Sequence, residues 1–446
     1  MSEIFREYDV RGIYPAEFNE ETARAIGAAF ALYTKAEKLV VGRDVRLSSA
    51  SLQDAFIDGI ISMGVSVDDL GLVSTDMMYW AVSHYGYEGG ATITASHNPK
   101  EYNGLKLCGP KSHPIGLKTG LDEIKEIASK EFPDVSKRGK RDRKNVMADY
   151  IEHCLSFIDT DQIKPLKIVV DTGNGIGGLV MAELTKKLPV EVIPLFFEPD
   201  GNFPNHPANP AQRQNLNSAV NKVIVSQADL GVAFDGDGDR VVFIDEKGEL
   251  IPADLTASIL ARHLLSKHPG EIMLGTTSLG RSYAEAVVEQ GGKYRETRIG
   301  HPSIKGAMLQ TKALFAAESS GHFYYRDNFD IDSGFITFLL LIKILSLTET
   351  SVSGLANESK KYFSLSEMNF AVSDPQKTVS LVETYYHKNS QRIDHIDGIT
   401  LYFPDWWFNL RASNTEPLLR LNIEARSQEI LERKVQEITG IITTNR

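Results

Sequence analysis

Three segments of the chain repeat one pattern, in which a short apolar strand is followed by a tight polar or glycine-containing loop and then a helical stretch. They are Leu39–Ser49, Leu166–Gly178 and Ile272–Ser282. Runs of Val, Ile and Leu suit strands buried on both faces, and the helices that follow suit crossovers over a sheet. The repeat is too long for a solenoid, whose units run to about 20–50 residues. We therefore expect three tandem, related α/β domains with mixed sheets.

The pattern stops beyond Lys360, where short strands alternate with helices and a final helix begins at Gln428. This change predicts a smaller α+β domain at the end of the chain. A length of 446 residues is enough for two to four domains at about 100 to 200 residues each. We place the domains at residues 1–145, 146–250, 251–362 and 363–446.

Net charge, cysteine content and the distribution of apolar residues limit the possible binding partners and cellular compartments of the protein. The formal net charge is −11, so the chain has no overall basic field to attract nucleic acid or anionic lipid, and an anionic ligand needs a local basic pocket. The two cysteines, Cys108 and Cys154, fit a reducing compartment. The charged start, Met1–Val10, does not resemble a signal peptide, and the apolar run Phe335–Leu347 is too short to span a bilayer. We expect a cytoplasmic protein, with that run as a buried helix.

A loop with a candidate nucleophile follows the apolar strand Gly89–Ile93. It places Ser96 beside His97 and ahead of Pro99, with Lys106 ten residues further on. A hydroxyl held at a rigid turn, with a cation available to meet phosphate charge, is typical of a nucleophile loop. The alternative is a Ser/Asn turn that only caps a helix. A hydrolase elbow is disfavoured because the G-x-S-x-G pattern is missing.

A loop with a candidate metal site ends the strand Asp229–Phe234. Asp235, Asp237 and Asp239 alternate with glycines, which allow the backbone to curl until the three carboxylates converge on a hard cation. We predict Mg²⁺ here. An EF-hand is disfavoured because its sixth position is Arg240 rather than glycine and because strands are predicted on both sides. A solvated acidic turn without metal is the remaining alternative.

Two further loops carry weaker signals. Residues 316–327 offer Glu318 and Ser320, whose acceptor and donor groups suit the neighbouring hydroxyls of a sugar, although Ser319 or Ser320 could instead cap a helix. The segment Arg411–Arg420 brings two arginines, two hydroxyls and an amide together, a composition suited to gripping a phosphate dianion. The alternative for that segment is an ordinary hairpin turn.

Taken in order, five motifs resemble the α-D-phosphohexomutase family, most closely its bacterial phosphomannomutase/phosphoglucomutase branch, over nearly the whole chain. They are FREYDVRG (from Phe5), TASHNPKEYNG (from Thr94), DGDGDR (from Asp235), ESSGH (from Glu318) and RASNTEP (from Arg411). The resemblance implies four domains around a central cleft and a reversible shift of phosphate between O1 and O6 of mannose or glucose phosphates. It also implies a phosphoserine enzyme, Mg²⁺ and a hexose 1,6-bisphosphate that acts as intermediate and activator.

The resemblance assigns roles by motif position. Ser96 is the phosphorylated serine, and the Mg²⁺ ligands are the phosphorylated Ser96, Asp235, Asp237 and Asp239. The residues around the phosphoserine are Tyr8, Arg11, His97, Lys106 and Arg240. The residues that contact the sugar or its loop are Glu318, Ser320, His301 and Lys305. The residues that hold the non-reacting phosphate are Arg411, Ser413, Asn414, Thr415 and Arg420. Lys106 and His301 are the candidates for the base that takes the sugar hydroxyl proton.

Three other functions stay open at this point. A phosphoglucosamine mutase typically has S-G-T-E-P where this chain has Ser413, Asn414 and Thr415. A metal-dependent sugar phosphatase would use the aspartate loop directly and would leave Ser96 without a role. A non-catalytic sugar-phosphate-binding protein would keep the loops without turnover. We expect small hexose phosphates as ligands, no nucleic-acid or membrane partner, and a monomer or weak homodimer.

Overall fold

The computed structural model describes residues 2–365, 367–412 and 418–444. Two compact units make up the chain. The first unit contains Met1–Pro252 and Ser320–Leu355, and the second contains Ala253–Ser319 and Ala356–Arg446.

The first unit begins with a six-stranded mixed sheet. Its strands are β1 (Val10–Ile13), β2 (Lys38–Arg43), β3 (Ser66–Leu72), β4 (Gly90–Ile93), β5 (Tyr102–Cys108) and β6 (Arg141–Arg143). The order is β1-β5-β4-β2-β3-β6, with β4, β2, β3 and β6 parallel and with β1 and β5 antiparallel to their neighbours. The helices of this region are α1 (Glu20–Thr34), α2 (Ser49–Ser62), α3 (Thr75–Tyr85), α4 (Leu121–Ala128) and α5 (Met147–Leu155).

Helices α1 and α2 pack closely because a glycine lies at each point of contact. A Cβ on Gly27 would lie 2.1 Å from the carbonyl oxygen of Phe56, and a Cβ on Gly59 would lie 2.1 Å from the carbonyl oxygen of Arg24. The side chain of Asn19 caps α1 by accepting from the backbone N–H of Thr22 at 3.0 Å. The two helices share one hydrophobic core with side chains of strands β1–β5.

A second mixed sheet follows in the same unit. Its strands are β7 (Lys167–Asp171), β8 (Glu191–Leu195), β9 (Leu230–Phe234), β10 (Val241–Ile244) and β11 (Leu250–Ile251), with helices α6 (Gly177–Thr185) and α7 (Asn217–Ser226). The order is β11-β10-β9-β7-β8, and β8, β7 and β9 are parallel. Strands β9 and β10 pair antiparallel with Phe234 opposite Val241, so the aspartate loop joins their ends.

A third set of elements is shared between the units. The second unit contains α8 (Ala253–Lys267), β12 (Ile272–Thr276), α9 (Arg281–Glu289), β13 (Lys293–Thr297), α10 (His301–Thr311) and β14 (Phe315–Ala317). Strand β12 pairs in parallel with β13 and with β14. The first unit contains the antiparallel pair β15 (Phe323–Tyr325) and β16 (Ile331–Asp332), followed by α11 (Gly334–Leu347). All three predicted strand-loop-helix units are therefore present.

Helix α11 is the buried helix predicted for the run Phe335–Leu347, since most of its side chains are inaccessible to solvent. The Ser333 hydroxyl caps it by accepting from the N–H of Ile336 at 3.2 Å. No helix in the described part of the chain is by itself long and apolar enough to cross a membrane. Helix α11 meets that test together with α12 (Val352–Ser359), from which it is bent by 98°.

The end of the chain forms an antiparallel sheet with two helices. The strands are β17 (Phe363–Ser364), β18 (Met368–Ala371), β19 (Arg392–Asp394), β20 (Ile399–Tyr402), β21 (Trp406–Ala412) and β22 (Leu418–Ala425), and the helices are α13 (Pro375–Tyr386) and α14 (Gln428–Thr444). The order is β17-β22-β21-β20-β19, and β18 also pairs with β22. One face packs its apolar side chains, such as Phe408 and Leu421, into a core with α13 and α14. Because side chains alternate along a strand, Arg411 and Arg420 belong to the opposite face.

Candidate active site

Ser96 lies in the turn between β4 and β5, at the carboxyl end of β4. Its φ of 50° is in the left-handed region, which a residue with a side chain adopts at a cost and which is often found at functional sites. The buried hydroxyl donates to Asp235 Oδ2 at 2.9 Å, and the Ser96 N–H donates to Thr94 Oγ1 at 2.8 Å. The turn leads into a strand, so the alternative that it only caps a helix is wrong.

A buried arginine, Arg46, fixes this turn. Its guanidinium donates at 2.7–2.9 Å to the carbonyl oxygens of Ser96, Asn98, Pro99 and Tyr102. The Nε of Arg46 donates to Asp44 at 3.2 Å, so the buried cation has a counter-ion. Sequence reasoning missed Arg46. The sequence feature that could have pointed to Arg46 is the charged stretch R-D-V-R at the end of a buried strand, in the first of the three repeats.

The aspartate loop curls as its glycines allow. Asp235 Oδ1 accepts from the N–H groups of Gly238 and Arg240 at 3.1 and 3.2 Å, and Gly238 has a φ of 79°. Asp235, Asp237 and Asp239 are buried, and their ligand oxygens lie within 4.8 Å of one another. Strands β9 and β10 flank the loop, and the three aspartate side chains are buried. The EF-hand and the solvated acidic turn are therefore both excluded.

Lys106 on β5 compensates this negative charge. Its ammonium lies 2.8 Å from Asp237 Oδ2 and 2.5 Å from Asp239 Oδ2, while Thr75 Oγ1 donates to Asp237 Oδ2 at 2.6 Å. Burial would lower the pKa of Lys106, but the aspartates outweigh it and hold that pKa well above its usual value. Burial, followed by the charges of Asp239 and Asp237, raises the pKa of Asp235 well above its usual value. Sequence reasoning also missed Thr75.

The aspartate loop has the donor set of a hard divalent cation. All three side chains offer carboxylate oxygens, which Mg²⁺ prefers. Asp237 Oδ1 is buried and has no hydrogen-bond partner in the described part of the chain. An orphaned buried acceptor of this kind is costly unless a ligand meets it. The residues present therefore fit a metal ion, and the acidic cluster is able to hold one.

A second group, Asp239, His322 and Asp332, is also close enough together to hold a metal. The Nε2 of His322 lies 3.3 Å from Asp239 Oδ1, but the same nitrogen accepts from Arg240 Nε at 3.2 Å. A ring nitrogen that faces an N–H donor does not offer its lone pair to a cation. Ser320 Oγ lies 2.8 Å from the other ring nitrogen, Nδ1. The loop does not cap a helix; it links Ser320 through His322 to Arg240.

Arg11 and His97, two more predicted residues of the first unit, contact the turn that carries Ser96. Arg11 on β1 donates to Asn98 Oδ1 at 2.5 Å and also pairs with Asp9. His97 Nδ1 lies 3.3 Å from Ser96 Oγ. The charge of Arg240, then burial, lowers the pKa of His97 well below its usual value, so this ring is neutral near pH 7. Tyr8 is half-buried in the bend before β1.

The second unit holds the other predicted residues. Glu318, at the end of β14, is buried and accepts from the Gly300 N–H at 3.0 Å. That bond ties Glu318 to the start of α10, where His301 is the first residue and the buried Lys305 lies one turn further on. Three of the side chains predicted to contact substrate are thus carried by neighbouring segments.

Arg411 and Arg420 lie directly opposite each other in the antiparallel pair of β21 and β22. Strands β21 and β22 therefore present the two arginines on the same face, and the turn that the alternative predicted falls on residues outside the described part of the chain. Ser413, Asn414 and Thr415, which connect the arms, lie outside the described residues.

Sequence comparison with family profiles covers nearly the whole chain. Four profiles of the phosphoglucomutase/phosphomannomutase family match in order: α/β/α domain I at residues 2–134, domain II at 148–248, domain III at 252–362 and the C-terminal domain at 367–441. The chain belongs to this family. The predicted fold class, three related α/β domains with mixed sheets and a smaller α+β domain, is confirmed.

Full-length relatives agree with this membership. The chain is 38% identical to a phosphomannomutase of Vibrio cholerae over 98% of both chains, and 37% identical to one of Escherichia coli K12 over 95% of this chain and 94% of that one. A crystal structure of a phosphoglucomutase/phosphomannomutase family protein from Burkholderia thailandensis superposes with a TM-score of 0.92 at 31% identity, covering 100% of this chain and 98% of that one.

Proposed function

We propose that this protein is a phosphohexomutase that moves a phosphate between O1 and O6 of mannose or glucose phosphates. The observation that carries the proposal is the Ser96 hydroxyl, held in a left-handed turn 2.9 Å from Asp235 in a buried aspartate cluster. Its relatives support the assignment, since they are named phosphomannomutase or, in Xanthomonas campestris, phosphohexose mutases.

In the proposed cycle, phosphorylated Ser96 gives its phosphoryl group to the free hydroxyl of a hexose monophosphate. The bond between phosphorus and Ser96 Oγ breaks, a bond from phosphorus to the sugar oxygen forms, and a base takes the hydroxyl proton. The product is a hexose 1,6-bisphosphate, which turns round and returns its other phosphate to Ser96. Lys106 and His301 are the candidates for the base.

Phosphoryl transfer depends on in-line placement and on neutralised oxygens. Arg46 supplies the placement, because it holds the carbonyl oxygens of Ser96 and of Asn98 just after it. Arg11, Lys106 and Arg240 supply positive charge around the hydroxyl. We propose Mg²⁺ as the cation of the aspartate cluster, held by Asp235, Asp237, Asp239 and the phosphoryl group of Ser96, where it would neutralise charge on the phosphoryl oxygens.

At the other end of the substrate, we propose that Glu318 and Ser320 contact the sugar hydroxyls, with His301 and Lys305 nearby. Tyr8 would contact the substrate close to the phosphoserine. Arg411 and Arg420, together with Ser413, Asn414 and Thr415, would hold the phosphate that does not react. Both ends of the bisphosphate must fit that same phosphate-binding site in turn, so the site has to recognise charge rather than one face of the sugar.

The other candidate functions are less well supported. A phosphatase that uses an aspartate as nucleophile needs that carboxylate free to attack. None of the three carboxylates is free in this way, because Asp237 and Asp239 accept hydrogen bonds from Lys106 and Asp235 accepts one from the Ser96 hydroxyl. A phosphoglucosamine mutase would differ in the loop after Arg411, and the relatives from Vibrio cholerae and Escherichia coli K12 are named phosphomannomutase. A non-catalytic binding protein predicts no turnover, which an assay decides.

The first test is the phosphorylation state of purified protein. We expect an intact mass with one added phosphate that maps to Ser96, and coupled assays that show turnover of mannose 1-phosphate or glucose 1-phosphate and little of glucosamine 1-phosphate. Ser96→Ala should lose turnover but keep substrate binding. The control is Ser129→Ala, which removes an exposed hydroxyl at the end of α4. Normal turnover by Ser96→Ala would refute the mechanism.

A further inference from the structure

Glu367, which sequence reasoning did not single out, contacts both arginines of the proposed phosphate site. Its Oε2 lies 2.8 Å from Arg411 Nη2, and its Oε1 lies 3.3 Å from Arg420 Nη1. Asn422 Nδ2 also donates to Oε2, at 3.2 Å. One carboxylate therefore receives hydrogen bonds from the two cations and the amide at once.

Strand register produces this arrangement. Residue Asn369 of β18 pairs with Arg420 of β22, and Arg420 pairs with Arg411 of β21. Glu367 lies two residues before Asn369, so it belongs to the same face of the sheet as Arg420 and Asn422. Glu367 directly precedes β18, so the pairing of β18 with β22 determines which face of the sheet it approaches.

The charges explain what the carboxylate does there. Like charges directly opposite each other on neighbouring strands are destabilising, and Arg411 faces Arg420 in this way. Glu367 offsets that repulsion but leaves one net positive charge. The Nε groups of Arg411 and Arg420 are buried and have no hydrogen-bond partner among the described residues.

We infer that Glu367 is a resident anion of the phosphate-binding site: it pairs with Arg411 and Arg420 when no phosphate is bound and is displaced when a phosphate dianion enters. This rests on the proposed function, in which these arginines bind the non-reacting phosphate. The bisphosphate must leave the site and rebind by its other end. A carboxylate that stabilises the empty site weakens phosphate binding and makes that exchange faster. Glu367 is thus a positioning residue that sets affinity against turnover.

The test is Glu367→Gln, which keeps the shape of the side chain and removes its charge. Calorimetry with inorganic phosphate at fixed ionic strength should show a dissociation constant about tenfold lower, the coupling of one charge to a dianion about 5 Å away under water-like screening. In turnover of mannose 1-phosphate, KM and kcat should both fall. The matched control, Glu429→Gln, removes an exposed carboxylate from the first turn of α14 and should change neither quantity.

The inference would be overturned if Glu367→Gln bound phosphate as tightly as wild type or more weakly. If the carboxylate only held the arginines in place, its loss would lower the affinity for phosphate. Glu367→Asp is a second variant for the case that Glu367→Gln is too unstable to measure. It keeps the negative charge but shortens the side chain, so its affinity for phosphate should lie between those of wild type and Glu367→Gln, above that of wild type. The calorimetry needs no turnover, so it decides the role of Glu367 even if wild-type protein proves inactive as a mutase. Conversely, an active wild type with unaltered phosphate binding in Glu367→Gln rejects this inference alone.

Discussion

The substitution Arg46→Lys should separate the positioning of Ser96 from its chemistry. Arg46 touches no substrate group in the proposed cycle; it holds the backbone from Ser96 to Tyr102. Lysine keeps the positive charge and the pairing with Asp44 but replaces a five-donor planar fork with three donors on one atom. The change therefore tests geometry at nearly constant charge.

The structure sets the size of the effect. One ammonium donor must serve Asp44, which leaves two donors for four carbonyl oxygens. The Pro99 carbonyl also accepts from the N–H of Tyr102 at 3.0 Å and keeps that partner, so one carbonyl is left without a replacement for the guanidinium. At about 1–3 kcal/mol for an unsatisfied group, the free energy of unfolding should fall by about 1–3 kcal/mol. Relaxation of the turn by about 1 Å would misplace the Ser96 hydroxyl and lower kcat about 100-fold. KM should change little, because the proposed phosphate-binding arginines are elsewhere in the chain.

Urea unfolding and a coupled mutase assay measure the two quantities. Arg43→Lys is the matched control. Arg43 is the half-buried sixth residue of β2, and the one hydrogen bond of its side chain to a described residue is a 3.4 Å contact with the Asp44 carbonyl. It should cost less than about 0.5 kcal/mol and leave kcat within twofold. If Arg46→Lys also kept wild-type kcat and stability, or if both variants lost the same amount, the assignment of Arg46 as the residue that positions Ser96 would be wrong.

Two further outcomes can be measured on the same protein. Burial raises the pKa of Asp76 to about 7, so the folded state binds a proton that the unfolded state releases, and this contribution to stability is lost as pH rises towards 7. Asp76→Asn should remove it: the stability difference, variant minus wild type, should increase by about 3 kcal/mol between pH 5 and pH 8 in urea unfolding, and a flat difference would contradict the assignment. Arg411→Ala should raise KM for mannose 1-phosphate at least tenfold with a smaller loss of kcat, and equal effects on both would argue against its role in ground-state phosphate binding.

Sequence reasoning located the elements because their local signals were strong. The repeated strands and helices, the buried α11 and the change of pattern after Lys360 follow from apolar periodicity alone. The loops that carry Ser96 and Asp235 could be placed at strand ends for the same reason, although nothing local requires the two residues, 139 positions apart, to touch at 2.9 Å. The domain boundaries near residues 145, 250 and 362, the oligomeric state and the cytoplasmic location stay predictions.

The residues that were missed act through partners distant in sequence. In the local sequence, Arg46 is simply one charged residue of a polar loop. Its four carbonyl partners lie 50–56 positions further along the chain. Thr75 is the first residue of a helix and meets Asp237 only after 162 positions. Glu367 precedes a short strand whose pairing with β22 decides which side chains it faces. Register and packing, which create these contacts, leave no periodic trace in the sequence.

The charge distribution around Ser96 links phosphorylation to the metal. Lys106 pairs with Asp237 and Asp239, so Asp235 is the carboxylate that faces the Ser96 hydroxyl. A phosphoryl group on Ser96 would replace a hydrogen-bond donor with a dianion against that carboxylate, and like charges at such a distance repel strongly in a buried site. Asp235 and the phosphoryl group would both be stabilised by holding a divalent cation, which would offset this repulsion. Phosphorylated protein should therefore bind Mg²⁺ more tightly than protein treated with a phosphatase, and equal affinities in calorimetry would show that Asp235 and the phosphoryl group do not share the cation.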